Sequence, residues 1–389
     1  MGCLVSLPVL SMSDSSRSAL IDGAKALACS AIIWHHLAFY GPLSDTLHAA
    51  APAVSDWLVQ YARMAVQVFL VLGGYLAAAS LAPHGNARQR RPWERIAGRF
   101  ERLVVPYAAA LVVVVMVDVL VRPWLDDSGM VSADPGLWQL IAHALLLQGV
   151  LGQDSLSAGV WYVAIDFQLF AFSTLALVGT HWLALWARGR MGWHGHGPLT
   201  LAQWLTLALA ALSLLGFNRD SAWDAWAVYF FGAYGMGMLA CWGAHASSTR
   251  RAWLWVGLIA MLTVLALALD WRDRILLAGL TAMLLVLALR VPQATRWCDW
   301  APLRLLGRIS YSVFLVHFAV CLLVNALVVS LWPDSVPMAI AGMALAYGLS
   351  ITAGGLLYVL VEHQRPTWRS SLRWQAGLVG AGLVTALLA

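Results

Sequence analysis

The chain has 389 residues, 61% of them hydrophobic and 11% charged, and its mean hydropathy is +0.74. Charged residues make up about a quarter of an ordinary soluble domain, so the composition excludes a soluble globular protein and reads as a polytopic membrane protein. The net charge of +5 comes from arginines clustered between apolar segments, which reports on topology and points to no nucleic-acid partner.

The first 17 residues read as a short, flexible cytoplasmic lead before a single membrane-embedded domain over 18–389. They have no basic n-region and no cleavage site, so no signal peptide is expected. Gly2 and Ser6 fit a myristoylation pattern that is short enough to match by chance, and Met12 is an equally good start. The first span, 21–41, carries Asp22, Lys25 and His36, and Lys25 is the only lysine among 24 Lys and Arg residues. Eleven helical residues turn through about 1100°, so Lys25 and His36 lie about 20° apart on one face, roughly 16 Å apart along the axis. His35 points about 100° away and reads as a packing or water-facing group. Ionisable groups in a spanning helix read first as functional.

Further apolar spans follow near 62–82, 101–121, 160–187, 199–217, 223–246, 252–270, 274–291, 305–331 and 336–362. The expected fold is therefore all-α, with about ten transmembrane helices. Two pieces, 136–151 and 374–389, are marginal for a crossing of roughly 30 Å. Arg88, Arg90, Arg91, Arg95, Arg99 and Arg102 place the second connection in the cytoplasm. The connections 42–61 and 122–135, the latter with Arg122 against Asp126, Asp127 and Asp134, face outward. Arg188, Arg190, Arg250, Arg251, Arg296, Arg304, Arg365, Arg369 and Arg373 are all inside only if 136–151 does not cross, so that segment reads as re-entrant or surface-lying.

This parity predicts two polar layers. Lys25 shares an inner, basic layer with Arg99, Arg102 and Arg308, and Asp22 is placed to pair with it. His36, Gln67 and Asp166 share an outer layer.

The segments resemble the acyltransferase-3 family of integral membrane acyltransferases, which O-acylate glycans, lipids and some antibiotics. IDGAKALACSAIIWHH is similar to the family's first helix, in which a basic residue, ten intervening residues and a histidine form the hallmark, here Lys25 and His36. AVQVFLVLGGYLAAA resembles its second helix, RFERLVVPY the arginine-rich start of its third, and WYVAIDFQLF a segment pairing a Trp with an acidic residue, here Trp161 and Asp166. LLGRISYSVFLVHFAV matches in Gly307, Ser310, Tyr311 and His317, and VEHQRP resembles the final Glu and Pro. Many members have arginine at Lys25, glutamate at Asp166, aspartate at Gln67 and Ser-Gly at Gly73 and Gly74. The missing charge at Gln67 argues against a catalytic role there.

A hydroxyl attacking a thioester must lose a proton, and imidazole is the side chain suited to accept it near neutrality. His36 is the expected general base, and Asp166 the expected carboxylate that orients it. Lys25, Arg99, Arg102 and Arg308 are expected to bind the phosphates of the acyl donor, acetyl-CoA by family precedent. Gln67, Trp161, Ser310, Tyr311 and His317 are expected to line the substrate site, although Ser310 and His317 serve equally well as helix-to-helix hydrogen bonds. No metal site is expected. His194 and His196 read as solvated loop residues, and the five scattered cysteines, Cys3, Cys29, Cys241, Cys298 and Cys321, form neither a disulfide framework nor a zinc site. Gly232, Gly235 and Gly237 read as close helix packing.

The reading is an O-acyltransferase of the bacterial inner membrane, N-terminus cytoplasmic. It would move an acetyl group from cytoplasmic acetyl-CoA to a glycan or lipid-linked sugar, with membrane lipid as its surroundings. The alternative is a secondary transporter of a small anion or sugar, although the chain lacks the internal symmetry such folds display.

Overall fold

The computed structural model describes residues 12–86, 91–125, 129–191, 199–291 and 299–388. Among the sequence expectations, Arg88, Arg90, Asp126, Asp127, His194, His196, Arg296, Cys3 and Cys298 lie outside the described residues, as do Gly2 and Ser6.

The described residues form helices and turns without a strand. In chain order the helices are α1 (Met12–Phe39), α2 (Pro42–Ala50), α3 (Pro52–Tyr61), α4 (Ala65–Leu81), α5 (Pro92–Leu125), α6 (Leu137–Ala144) and α7 (Trp161–Met191). They continue as α8 (Leu201–Leu215), α9 (Ala227–Ala244), α10 (Thr249–Leu269), α11 (Asp273–Arg290), α12 (Ala301–Leu331), α13 (Val336–Leu357) and α14 (Trp368–Leu388). Among the described residues eight helices are long and apolar enough to cross a membrane, with α3 and α4 joined into one through a 3-10 turn. The predicted spans at α1 and α11 are helices too. They fall outside that group because α1 carries Asp22, Lys25, His35 and His36, and α11 carries Asp273, Arg274 and Arg290.

Two features differ from the sequence expectation in extent, and a third agrees with it. The outward connection 42–61 is not a loop but α2 and α3, each begun by a proline in the first turn, where its missing N–H costs nothing. α5 starts nine residues before the predicted span, so Arg95, Arg99 and Arg102 stand on the helix itself. The marginal segment 136–151 holds only the eight-residue α6, about 12 Å long and too short to cross. One face of α6 is nevertheless buried: Leu140 and His143 are inaccessible, and Gln375 of α14 donates to the Ala144 carbonyl at 2.6 Å, while Leu137 and Trp138 are exposed.

Among the described residues three hydrophobic cores form, a small one between α5 and α12 and two large ones that divide the bundle. One large core gathers α8 to α11 with parts of α4 and α7; the other gathers α1, α2, α5, α6 and α12 to α14. α4 and α7 contribute to both, so the halves meet along them. Backbones approach closely at several glycines, among them Gly74, Gly237, Gly307 and Gly354. A Cβ on Gly237 of α9 would collide with the Val71 carbonyl of α4, as the packing reading of that glycine anticipates. A Cβ on Gly307 of α12 would collide with the Asp22 carbonyl of α1.

Candidate active site

α1 and α12 run side by side in the same direction. Asp22 meets Gly307 at one end, the Cys29 thiol donates to the Ser310 carbonyl at 3.5 Å further along, and His36 meets His317 beyond that. Two cavities open along this pair, at the seam of the two half-bundles.

The inner cavity, about 340 Å³, is lined by Lys25 of α1, Arg99 and Arg102 of α5, Asp166 of α7, Arg308, Ser310 and Tyr311 of α12, and Glu362 at the end of α13. All four of the predicted donor-binding cations therefore share one space, with two carboxylates among them. Lys25 pairs with Asp22 at 3.8 Å, as their spacing predicts. Arg308 donates to the Tyr358 hydroxyl at 3.0 Å. The Ser310 and Tyr311 hydroxyls both donate to backbone carbonyls, of Gly307 and Leu103, each at 2.9 Å. A cavity lined by four cations suits a ligand carrying several phosphates, since guanidinium and ammonium groups form charge-assisted hydrogen bonds to phosphate oxygens.

The outer cavity, about 770 Å³, is lined by His35, His36, Tyr40, Arg63, Gln67, Ser155, Gly159, Trp161, Tyr162, Tyr229, Arg272 and Phe314 among others. Aromatic faces among hydrogen-bonding side chains are the surface a sugar ring needs. Tyr162 and Phe314 line both cavities, their rings edge to face at 5.8 Å, with Phe69 6.0 Å from Tyr162. These three rings form the partition. Gly159, at φ 82°, packs against it: a side chain there would press on Phe314 and on the His36 ring.

His36 faces the outer cavity, as its predicted layer requires, but its partner is not Asp166. The Asp166 carboxylate lines the inner cavity and accepts from Arg99 Nη2 at 2.5 Å. The reason is that α7 starts recessed. Gly159, just before the helix, already lies beside His36, so Asp166, five residues past Trp161, sits about 7 Å deeper along the axis. There it meets Arg99, which the early start of α5 carries into the same layer. His36 Nδ1 instead lies 2.6 Å from Nε2 of His317. The ring planes are 7° apart and the centroids 4.9 Å apart, nearly the most a 2.6 Å N···N contact allows, so the rings meet edge to edge in a common plane. His317 is 0% exposed. It is not among the residues lining either cavity, and its ring is used on His36 and on the Phe314 carbonyl, 2.7 Å from Nδ1, the helix-to-helix alternative of the sequence reading.

A family model described as an acyltransferase domain, that of acyltransferase-3, matches residues 19–359. The chain belongs to this acyltransferase family. No curated protein and no solved structure matches it. This membrane acyltransferase thus has all of its inner-cavity cations and both histidines within the matched region, while Glu362 and α14 lie just beyond it. Sequence reasoning did not single out Glu362, which accepts from the Ser312 hydroxyl at 2.5 Å, although the motif VEHQRP that holds it was in view. It also missed the partition, because apolar rings in an apolar helix carry no local signal. Among the described residues no group of three or more His, Cys, Asp or Glu is placed to hold a metal ion.

Proposed function

We propose that this acyltransferase moves an acetyl group from acetyl-CoA, bound in the inner cavity, to a hydroxyl of a glycan or lipid-linked sugar held in the outer cavity. The observation that carries the reading is the position of His36: it lines the sugar-suited outer cavity next to the Tyr162–Phe314 partition, beyond which lies the basic inner cavity. Lys25, Arg99, Arg102 and Arg308 hold the donor's phosphates, and the donor supplies an activated acyl thioester. Trp161, Gln67 and Tyr229 orient the acceptor. His36 takes the hydroxyl proton as the new C–O bond forms, and returns it to the sulfur as the C–S bond breaks. Asp166 is assigned to the donor side, where it fixes Arg99.

The inner-cavity end of the bundle is also the end where Arg188, Arg190, Arg250, Arg251, Arg304, Arg365, Arg369 and Arg373 fall. The positive-inside tendency then supports a cytoplasmic inner cavity, a cytoplasmic N-terminus and residence in the bacterial inner membrane. The test supplies membrane vesicles from the native cell, with their own acceptor, with radiolabelled acetyl-CoA. Wild type is expected to label the glycan or lipid fraction, and His36→Ala to lower the rate by roughly 10²–10⁴-fold. Labelling unaffected by His36→Ala would remove His36 from the mechanism.

A further inference from the structure

Hydrogen-bond bookkeeping fixes the proton on each ring of the buried histidine pair. The Phe314 carbonyl can only accept, so His317 carries its proton on Nδ1. In the neutral ring its Nε2 is then an acceptor. The group 2.6 Å away, His36 Nδ1, must be the donor. His36 is thereby held with its proton on Nδ1 and a lone pair on Nε2. Nε2 is the ring nitrogen not used on His317, and the residue that carries it lines the outer cavity.

We propose that His317 is the positioning residue for His36, a neutral imidazole where hydrolase triads place a carboxylate, itself locked by the main chain of its own helix. The proposal rests on His36 being the base. A carboxylate at this site would have to be buried as an anion among Phe314, Phe318 and Tyr40, a costly arrangement inside a membrane. The neutral ring fixes the same tautomer without a resting charge. When Nε2 takes the acceptor's hydroxyl proton, His36 becomes an imidazolium with both nitrogens donating. Its Nδ1–H still points at His317 Nε2, so the contact persists and strengthens with the charge. The proton then leaves Nε2 for the sulfur. The sum is alcohol plus acyl thioester giving ester plus thiol, with both histidines restored.

The experiment measures kcat and KM for acetyl-CoA in the vesicle assay for wild type, His317→Leu, His317→Gln and His36→Ala. Leucine fills the space without an acceptor; glutamine keeps an amide oxygen for His36 Nδ1. His317→Leu is expected to lower kcat about tenfold to a hundredfold with KM unchanged, and His317→Gln to recover kcat to within about fivefold of wild type. A purely packing role would instead favour leucine over glutamine. His317→Leu at the wild-type rate, or His317→Gln no better than His317→Leu, overturns the proposal. If His317→Leu does not accumulate in the membrane, His317→Gln decides alone: near-wild-type kcat supports the role, and a rate as low as His36→Ala overturns it. An active His36→Ala overturns the base itself, whereas an inactive His36→Ala beside an active His317→Leu removes only His317.

Discussion

Two ion pairs border the inner cavity, and their surroundings set them apart. Lys25–Asp22 is 3.8 Å long with both side chains partly exposed, whereas Arg99–Asp166 is 2.5 Å long and the Asp166 side chain is only 8% exposed. A screened pair contributes about 1 kcal/mol or less. A buried carboxylate that loses its partner costs about 3–5 kcal/mol, a figure to reduce to about 1–3 here because the Arg99 side chain is 31% exposed. Arg99→Met is therefore expected to lower the thermal midpoint in detergent well beyond Lys25→Met. Adding Asp166→Leu to Arg99→Met should recover most of the loss, since it removes the stranded charge. A double variant less stable than the sum of its singles would contradict this. That these charges matter, and that Lys25, Arg99, Arg102 and Arg308 share a layer, was legible in the sequence because a charge in an apolar helix has few places to go. Which charge meets which was not. Counting from helix ends put Asp166 level with His36, and no periodicity reveals that α7 starts below the level of its neighbours.

At the scale of the helices, hydropathy located the spans, and arginine placement identified α6 as a segment that does not cross. The short α2 and α3 escaped because each is too brief and too polar to produce a span signal. The partition also belongs to this scale, since Phe69, Tyr162 and Phe314 come from α4, α7 and α12 and only packing brings them together. Phe314 holds a second position: its carbonyl anchors His317 while its ring closes the inner cavity toward His36. Phe314→Ala keeps the carbonyl and deletes the ring, which separates the two. Such a variant should keep acetyl transfer and gain longer donors, with the ratio of butyryl to acetyl transfer rising by roughly tenfold or more, the discrimination a pocket wall exerts over one or two methylenes. Competition between the two labelled thioesters measures it. An unchanged ratio would mean that the acyl group does not pass the partition.

For the whole molecule, two cavities lie on either side of one aromatic partition: Lys25, Arg99, Arg102 and Arg308 of the predicted inner layer line one, His36 and Gln67 of the predicted outer layer line the other, and Asp166 lies in the inner cavity instead of the outer layer. In the proposed reaction, donor and acceptor arrive from opposite sides of the membrane. Ser155 is exposed at the outer cavity, and Arg308 and Arg365 are exposed at the inner end. Cys29, Cys241 and Cys321 are buried, so once Cys3 and Cys298 are changed to serine the background is silent to a membrane-impermeant thiol reagent. Right-side-out vesicles should label Ser155→Cys and not Arg308→Cys or Arg365→Cys, and inverted vesicles should show the reverse. Acetyl-CoA added to inverted vesicles should slow labelling of Arg308→Cys, which lines the cavity, and leave Arg365→Cys unaffected. Its protection should weaken with rising salt, because the cavity mouth is partly open and its attraction for phosphate is screened over about 10 Å at 0.1 M. Labelling of Ser155→Cys and Arg365→Cys from the same side would break the parity on which both cavities were assigned. Protection of Ser155→Cys in place of Arg308→Cys would exchange the two substrates between them.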